Sequence, residues 1–175
     1  MMNKVLDYLD ELFPNPRCEL NYNKDYELLI AIVLSAQTTD KRVNKVTEVL
    51  FSKYPTLLEL SNATVDDIVN IIREIGTFRR KSVYVKEIAM RLVNDGNVFV
   101  PNDREYIESL PGVGRKTANV FLSNIYEIET IAVDTHVSRV SKRLGLVGNN
   151  DGVSEIEKKL EKKYLVINGV RHIIN

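Results

Sequence analysis

The chain has little of what thiol, disulfide or metal chemistry requires: its 175 residues include a single cysteine, Cys18, and two histidines, His136 and His172. One thiol excludes an internal disulfide, and Cys18 reads as a small, half-buried apolar residue. His172 reads as a surface or packing residue and His136 as a helix-start residue, and no spacing of His, Cys, Asp and Glu suggests a metal site. An excess of one charge is also missing, since 24 Lys and Arg face 24 Asp and Glu. Overall charge therefore cannot supply affinity for a polyanion, which would have to come from local clusters. There is no signal peptide, internal repeat, low-complexity stretch or apolar run long enough to cross a membrane. The expected location is the cytoplasm, at the nucleoid in a prokaryote.

Strand signals are nearly absent, and helical periodicity recurs throughout. Val5, Leu9, Leu12 and Phe13 share one side of a helix over Met2 to Phe13 that Pro14 ends. Tyr26 to Ser35 is apolar almost all round, the pattern of a central buried helix. Asp40 to Tyr54 runs to Pro55. Thr64 to Ile75 sets Val65, Ile68, Ile72 and Ile75 at helical spacing and stops at Gly76, and Ser82 to Asn94 repeats the pattern up to Gly96. Ser154 with Glu157 predicts a capping box for a last helix, Glu155 to Tyr164, whose Lys and Glu run reads as a solvated face. This predicts an all-α protein.

The most informative stretch is Leu110-Pro111-Gly112-Val113-Gly114-Arg115-Lys116-Thr117-Ala118-Asn119-Val120-Phe121-Leu122, followed by Val133-Asp134-Thr135-His136. Two glycines around one valine permit a turn that β-carbons would crowd. An apolar helical pattern starts straight after Gly114, so the free N–H groups of that helix's first turn point into the turn, where a phosphate fits. Asn102 followed by Glu105 resembles a capping box for the preceding helix, which Pro111 blocks. The unit is helix, glycine hairpin, helix.

Lys116 falls in the first turn of the second helix, where the helix dipole and Arg115 both disfavour a cation. A lysine must be neutral to attack as a nucleophile, whereas a charged one would be solvated or hold a phosphate. Spacing alone leaves both open. Asp134, eighteen positions on, precedes a second helical pattern of Val137, Val140 and Leu144. It suits an N-cap there, with Thr135 and His136 offering backbone donors. A carboxylate held in that way stays ionised and could also stabilise a cationic sugar or accept a proton.

These residues resemble the helix-hairpin-helix and catalytic-aspartate motif of the endonuclease III family of DNA base-excision glycosylases. Upstream, Leu34-Ser35-Ala36-Gln37-Thr38-Thr39-Asp40 resembles the family segment that enters the duplex beside the extruded base. The likeness covers roughly residues 1 to 160. It implies a two-lobed helical fold: residues 19–128 would form a six-helix lobe containing the hairpin at about 103–126, and residues 1–18 with 129–175 a second, truncated lobe. It also implies a bifunctional N-glycosylase and abasic-site lyase acting on oxidised or damaged pyrimidines in double-stranded DNA. Lys116 would be the Schiff-base nucleophile and Asp134 its electrostatic and proton-transfer partner. Adenine-specific mismatch glycosylases of the superfamily lack this lysine.

By the same resemblance, Gln37 would fill the space left by the flipped base. The companion wedge falls in Ile75-Gly76-Thr77-Phe78-Arg79-Arg80. The family commonly places a bulky aliphatic residue straight after that glycine, whereas this chain has Thr77 and then Phe78, so either Phe78 takes over as wedge or duplex opening is weaker. Further DNA contacts are expected from Arg79, Arg80, Gly112, Val113, Gly114, Arg115, Thr117, His136 and Arg139, with Lys81, Lys142 and Arg143 in the same basic clusters. Most of the family carries four C-terminal cysteines holding an iron–sulfur cluster; with Cys18 alone, no cluster and no other cofactor is expected. The chain is expected to be a monomer. Other readings are a non-catalytic helix-hairpin-helix DNA-binding module, which needs neither Lys116 nor Asp134, a degenerate enzyme, or a monofunctional glycosylase.

Overall fold

A computed structural model describes residues 18–168 continuously, with Asp7, Tyr8, Glu11, Leu12 and Pro14 ahead of them and side chains up to Lys163. Among the described residues the secondary structure is entirely helical: α1 Asp25–Ser35, α2 Asp40–Lys53, α3 Leu57–Asn62, α4 Val65–Ile72, α5 Phe78–Asn94, α6 Arg104–Glu108, α7 Arg115–Tyr126, α8 Thr135–Arg143 and α9 Val153–Asn168. Most of the helix expected over Met2 to Phe13 lies outside the described residues, and so does His172.

The central-helix expectation is met by α1, where every residue from Tyr26 to Leu34 is buried. A helix apolar on all sides must be surrounded, and α7, α2 and α5 pack around it. The short α3 and the α4 helix close over α5. Phe121 of α7 is the largest fully buried side chain, packed edge-on against Tyr126 with ring centroids 6.2 Å apart. A second, smaller apolar cluster joins Val133, Leu146, Val147, Ile156 and Leu160, with Ile131 and Val137 beside it. Its members follow the hairpin in sequence, whereas the larger cluster draws on Leu20 to Ala132.

Several boundaries differ from those read in the sequence, each for a local reason. The fifth helix starts at Phe78 rather than Ser82, because Thr77 takes a left-handed conformation (φ 54°) that turns the chain directly into it. The charged run Arg79-Arg80-Lys81 hides that first turn from a periodicity argument. The cap of α6 is Asp103, not Asn102: its carboxylate accepts from the Glu105 and Tyr106 N–H groups at 2.9 and 3.2 Å. Helix α3 went unforeseen, being six residues long, though Thr56 and Glu59 make the reciprocal capping box expected of a helix start. In α9, which begins at Val153, Glu157 is not a capping residue and not on a solvated face; it is 3% exposed.

Truncating Phe121 leaves a void in a core that has no slack. Phe121→Ala is expected to cost about 3–5 kcal/mol, seen in urea melts as a lowered midpoint with little change in slope. A midpoint within error of wild type would place Phe121 outside the cooperative core.

Candidate active site

The hairpin after α6 reverses the chain between Leu110 and Gly114. The Val113 N–H closes it on the Leu110 carbonyl at 3.1 Å, and the Val113 side chain is buried. Any DNA contact of Val113 would thus come from its backbone. Gly112 has φ +78°, and a β-carbon there would lie 2.5 Å from Cδ2 of Tyr84, so this position requires glycine twice over. Gly114 is extended, with open space around its Cα. Its contribution is to leave the start of α7 bare: no side chain caps that helix, in contrast with α6 and α8. Among the described residues no acceptor meets the first N–H groups of α7, a geometry suited to an oxyanion.

Lys116, in that first turn, places its Nζ 3.5 Å from Oδ2 of Asp134. The carboxylate caps α8, with Oδ1 accepting from the His136 and Val137 N–H groups at 2.8 Å each. Both roles read from the sequence, cap and lysine partner, are therefore held by one side chain through different oxygens. Burial pushes the Asp134 carboxyl up, but the Val137 and His136 donors and the Lys116 charge outweigh it, and the group sits below the usual carboxylate range.

Asn119 brings the two residues together. It lies one turn after Lys116 on α7, is fully buried, accepts from Nη1 of Arg104 at 2.7 Å and donates to the Ile131 carbonyl at 3.2 Å. That pins the extended segment entering α8 against α7, which carries Asp134 to the lysine. Arg115 points elsewhere: its guanidinium grips Glu157 of α9 bidentately at 2.7–3.0 Å. The like-charge pressure on Lys116 expected from Arg115 is thereby offset, and the α9 carboxylate ties the hairpin to the second cluster. Glu161, on the same helix, accepts from the Thr130 hydroxyl at 2.8 Å. Asn119 carried no functional signal of its own in the sequence beyond its one-turn spacing from Lys116, and Glu157, read as a capping residue, had only its helical spacing from Leu160 to mark it as inward-facing.

Thr117 is half-buried on α7, behind Lys116. His136 is exposed, with Nδ1 2.9 Å from a guanidinium nitrogen of Arg139. Gln37 and Thr77 are exposed at the tips of two turns, both in left-handed conformation. Phe78 is not at a tip: its ring is half-buried against the main core, with the Arg79 guanidinium over it at 5.3 Å. Thr77 is the residue that projects. Arg80 lies over the Tyr84 ring at 5.5 Å. Lys81, grouped with these arginines as a phosphate contact, is 4% exposed and turned inward. Among the described residues no cluster of His, Cys, Asp and Glu could hold a metal ion, and no helix is long and apolar enough to cross a membrane.

Because the folded Asp134 carboxyl titrates below its unfolded value, its charge stabilises the fold above about pH 4 and that contribution disappears as pH falls through the folded value. Asp134→Asn keeps a good cap and removes the charge. Wild type is expected to resist urea better than Asp134→Asn near pH 7, with the gap narrowing as the pH falls below about 4. A gap that stays constant across this range would assign the difference to something other than the carboxylate.

The HhH-GPD superfamily of base excision DNA repair proteins matches residues 30–164. The endonuclease III of Bacillus subtilis is 42% identical over 158 residues, covering 90% of this chain and 72% of that protein. That of Haemophilus influenzae is 43% identical over 159 residues, covering 91% and 75%. Among solved structures, a trapped endonuclease III–DNA covalent intermediate superposes with a TM-score of 0.85 at 46% identity, covering 92% of this chain and 76% of that one. A non-covalent endonuclease III–DNA complex gives the same score and identity. A thermostable thymine-DNA glycosylase follows at 0.70 and 25%, covering 81% of this chain and 67% of that one. With a family match across most of its length and relatives above 40% identity, the chain belongs to the endonuclease III family of the HhH-GPD superfamily.

Proposed function

We propose that this chain is a bifunctional DNA glycosylase and abasic-site lyase of base-excision repair, with Lys116 as nucleophile and Asp134 as its partner. The observation that carries the reading is the 3.5 Å approach of the two side chains beside an uncapped helix start. The amine of Lys116, once neutral, attacks C1′ of the damaged nucleotide; the N-glycosidic bond breaks and its electrons leave with the base. The attached nitrogen then passes a proton to O4′ as the C1′–O4′ bond breaks, and the iminium left at C1′ acidifies the C2′ proton, whose loss expels the 3′ phosphate by β-elimination. Asp134 titrates low, which makes it a weak base and a persistent anion. Its larger contribution is therefore electrostatic, against positive charge developing on the sugar. A monofunctional glycosylase or a binding module would leave a lysine so placed without a task.

Double-stranded DNA bearing damaged pyrimidines is the proposed substrate. Gln37 and Thr77 would enter the duplex, the Gly112 to Thr117 backbone would hold a phosphate, and Arg79, Arg80, His136 and Arg139 would provide further contacts. Arg115 would contribute its N–H, since its guanidinium is committed to Glu157. The two apolar clusters support a division into a lobe of residues 19–128 and a second lobe that includes 129–163, with DNA across the opening that Lys116 and Asp134 share. The chain would act as a monomer in the cytoplasm. No iron–sulfur cluster enters this reading: Cys18 is the only thiol, and burial pushes it up, away from the thiolate that a ligand must be.

Borohydride trapping on a duplex with one oxidised pyrimidine tests the mechanism. Wild type is expected to form a covalent adduct that Lys116→Ala abolishes, while Asp134→Asn slows its formation by roughly 100-fold or more. Free base without an adduct would instead identify a monofunctional enzyme, and duplex binding with neither product a binding module.

A further inference from the structure

Lys81 is a buried ammonium with no carboxylate partner among the described residues. Its Nζ donates to the Leu34 carbonyl at 2.9 Å, the Ala36 carbonyl at 2.7 Å and the Thr38 hydroxyl at 3.3 Å. These groups lie at the end of α1, where carbonyls lack helical partners and the dipole favours a cation. Burial pushes the Lys81 pKa down, so the charge is retained at a cost that three well-placed acceptors offset. The acceptors bracket Gln37, which holds φ 58°, while Lys81 itself follows Thr77, which holds φ 54°, and its N–H donates to the Thr77 carbonyl at 3.1 Å. Non-glycine residues in left-handed conformations are strained and persist only where their surroundings fix them. The two turns also lie close together, for a β-carbon added at Gly76 would sit 3.9 Å from the Gln37 carbonyl.

We propose that Lys81 is a positioning residue that locks the Gln37 turn to the Thr77 turn, so that both meet the duplex as one rigid element and base extrusion needs no further ordering of the protein. The inference rests on the glycosylase reading above and deepens it. A preorganised pair of turns spares the ordering entropy that loose loops would lose on binding. The effect should fall on the step that unstacks an intact base, and far less on a site whose base is already gone.

Lys81→Met keeps the length of the side chain and removes its donors. Single-turnover cleavage would be measured on one duplex carrying thymine glycol and on the same duplex carrying a preformed abasic site, with thermal melting as a check on folding. For Lys81→Met the expected result is at least a tenfold loss on the base lesion against about threefold or less on the abasic site. Thr38→Val removes one of the three acceptors and should shift the same ratio by about two- to threefold, and it decides the matter if Lys81→Met fails to fold. Equal losses on both substrates, or an unchanged ratio in Thr38→Val when Lys81→Met does not fold, would overturn the positioning role. Wild type inactive on the base lesion would overturn the glycosylase reading itself, whereas active wild type with an unaltered ratio in the variants defeats this inference alone.

Discussion

The carboxamide of Asn119 is the contact on which the geometry of the site depends. A fully buried amide must satisfy both its ends or carry a penalty of about 1–3 kcal/mol, and here one end takes a guanidinium N–H from Arg104 while the other donates to the Ile131 carbonyl. The first bond fixes α6 against α7 and so sets the two arms of the hairpin. The second fixes the strand-like approach to α8. Lys116 lies three residues before the amide and Asp134 three residues after the carbonyl it holds, so their separation is set by one buried side chain rather than by the reach of two exposed ones. This matters because the lysine and aspartate are 55% and 31% exposed and could not impose a geometry themselves. An exposed ion pair is worth little and costs side-chain entropy.

The same helix divides its tasks by turn. Its later residues, Val120, Phe121 and Leu122, enter the main core, while its first turn has no apolar anchor and is held through Arg115 and the buried Glu157. That ion pair links the larger cluster, which receives α7, to the smaller one, which receives α9. A buried glutamate is tolerable only with such a partner, and breaking the pair would strand its charge. The reactive end of α7 is therefore supported from both sides, yet open where the uncapped N–H groups face outward. With no net charge on the chain, attraction for a polyanion would have to come from this fixed partial charge and a few surface arginines.

Where one residue type has one structural meaning, the sequence was readable. Nine consecutive buried positions of α1 follow from an apolar stretch flanked by polar residues, and Gly112 follows from a turn that needs positive φ. The hairpin, the Asp134 cap and its approach to Lys116 were legible because they depend on residues close in sequence to fixed motifs. Polar residues with long-range partners were not. Glu157 looked like a cap and Lys81 like a phosphate contact, since a charge run presents the same letters whether it faces solvent or a partner 42 or 45 residues away. Phe78, offered as a wedge or else as the sign of weaker duplex opening, is half-buried against the core, a packing that its place beside a glycine does not announce.

That last substitution of roles bears on how such a site opens DNA. With Phe78 packed on the core and Thr77 exposed beside it, the turn proposed to enter the duplex offers a small β-branched side chain rather than a large apolar one. A small wedge recovers less of the stacking energy lost when a base pair parts, so more of the work falls on precise placement of what remains. Under the positioning role proposed for Lys81, two neighbouring left-handed turns joined through its buried ammonium would supply that precision. On the proposed glycosylase reading, rigidity is the compensation open to a chain with a modest wedge, because a preorganised element loses no ordering entropy when it meets a base that must leave the stack.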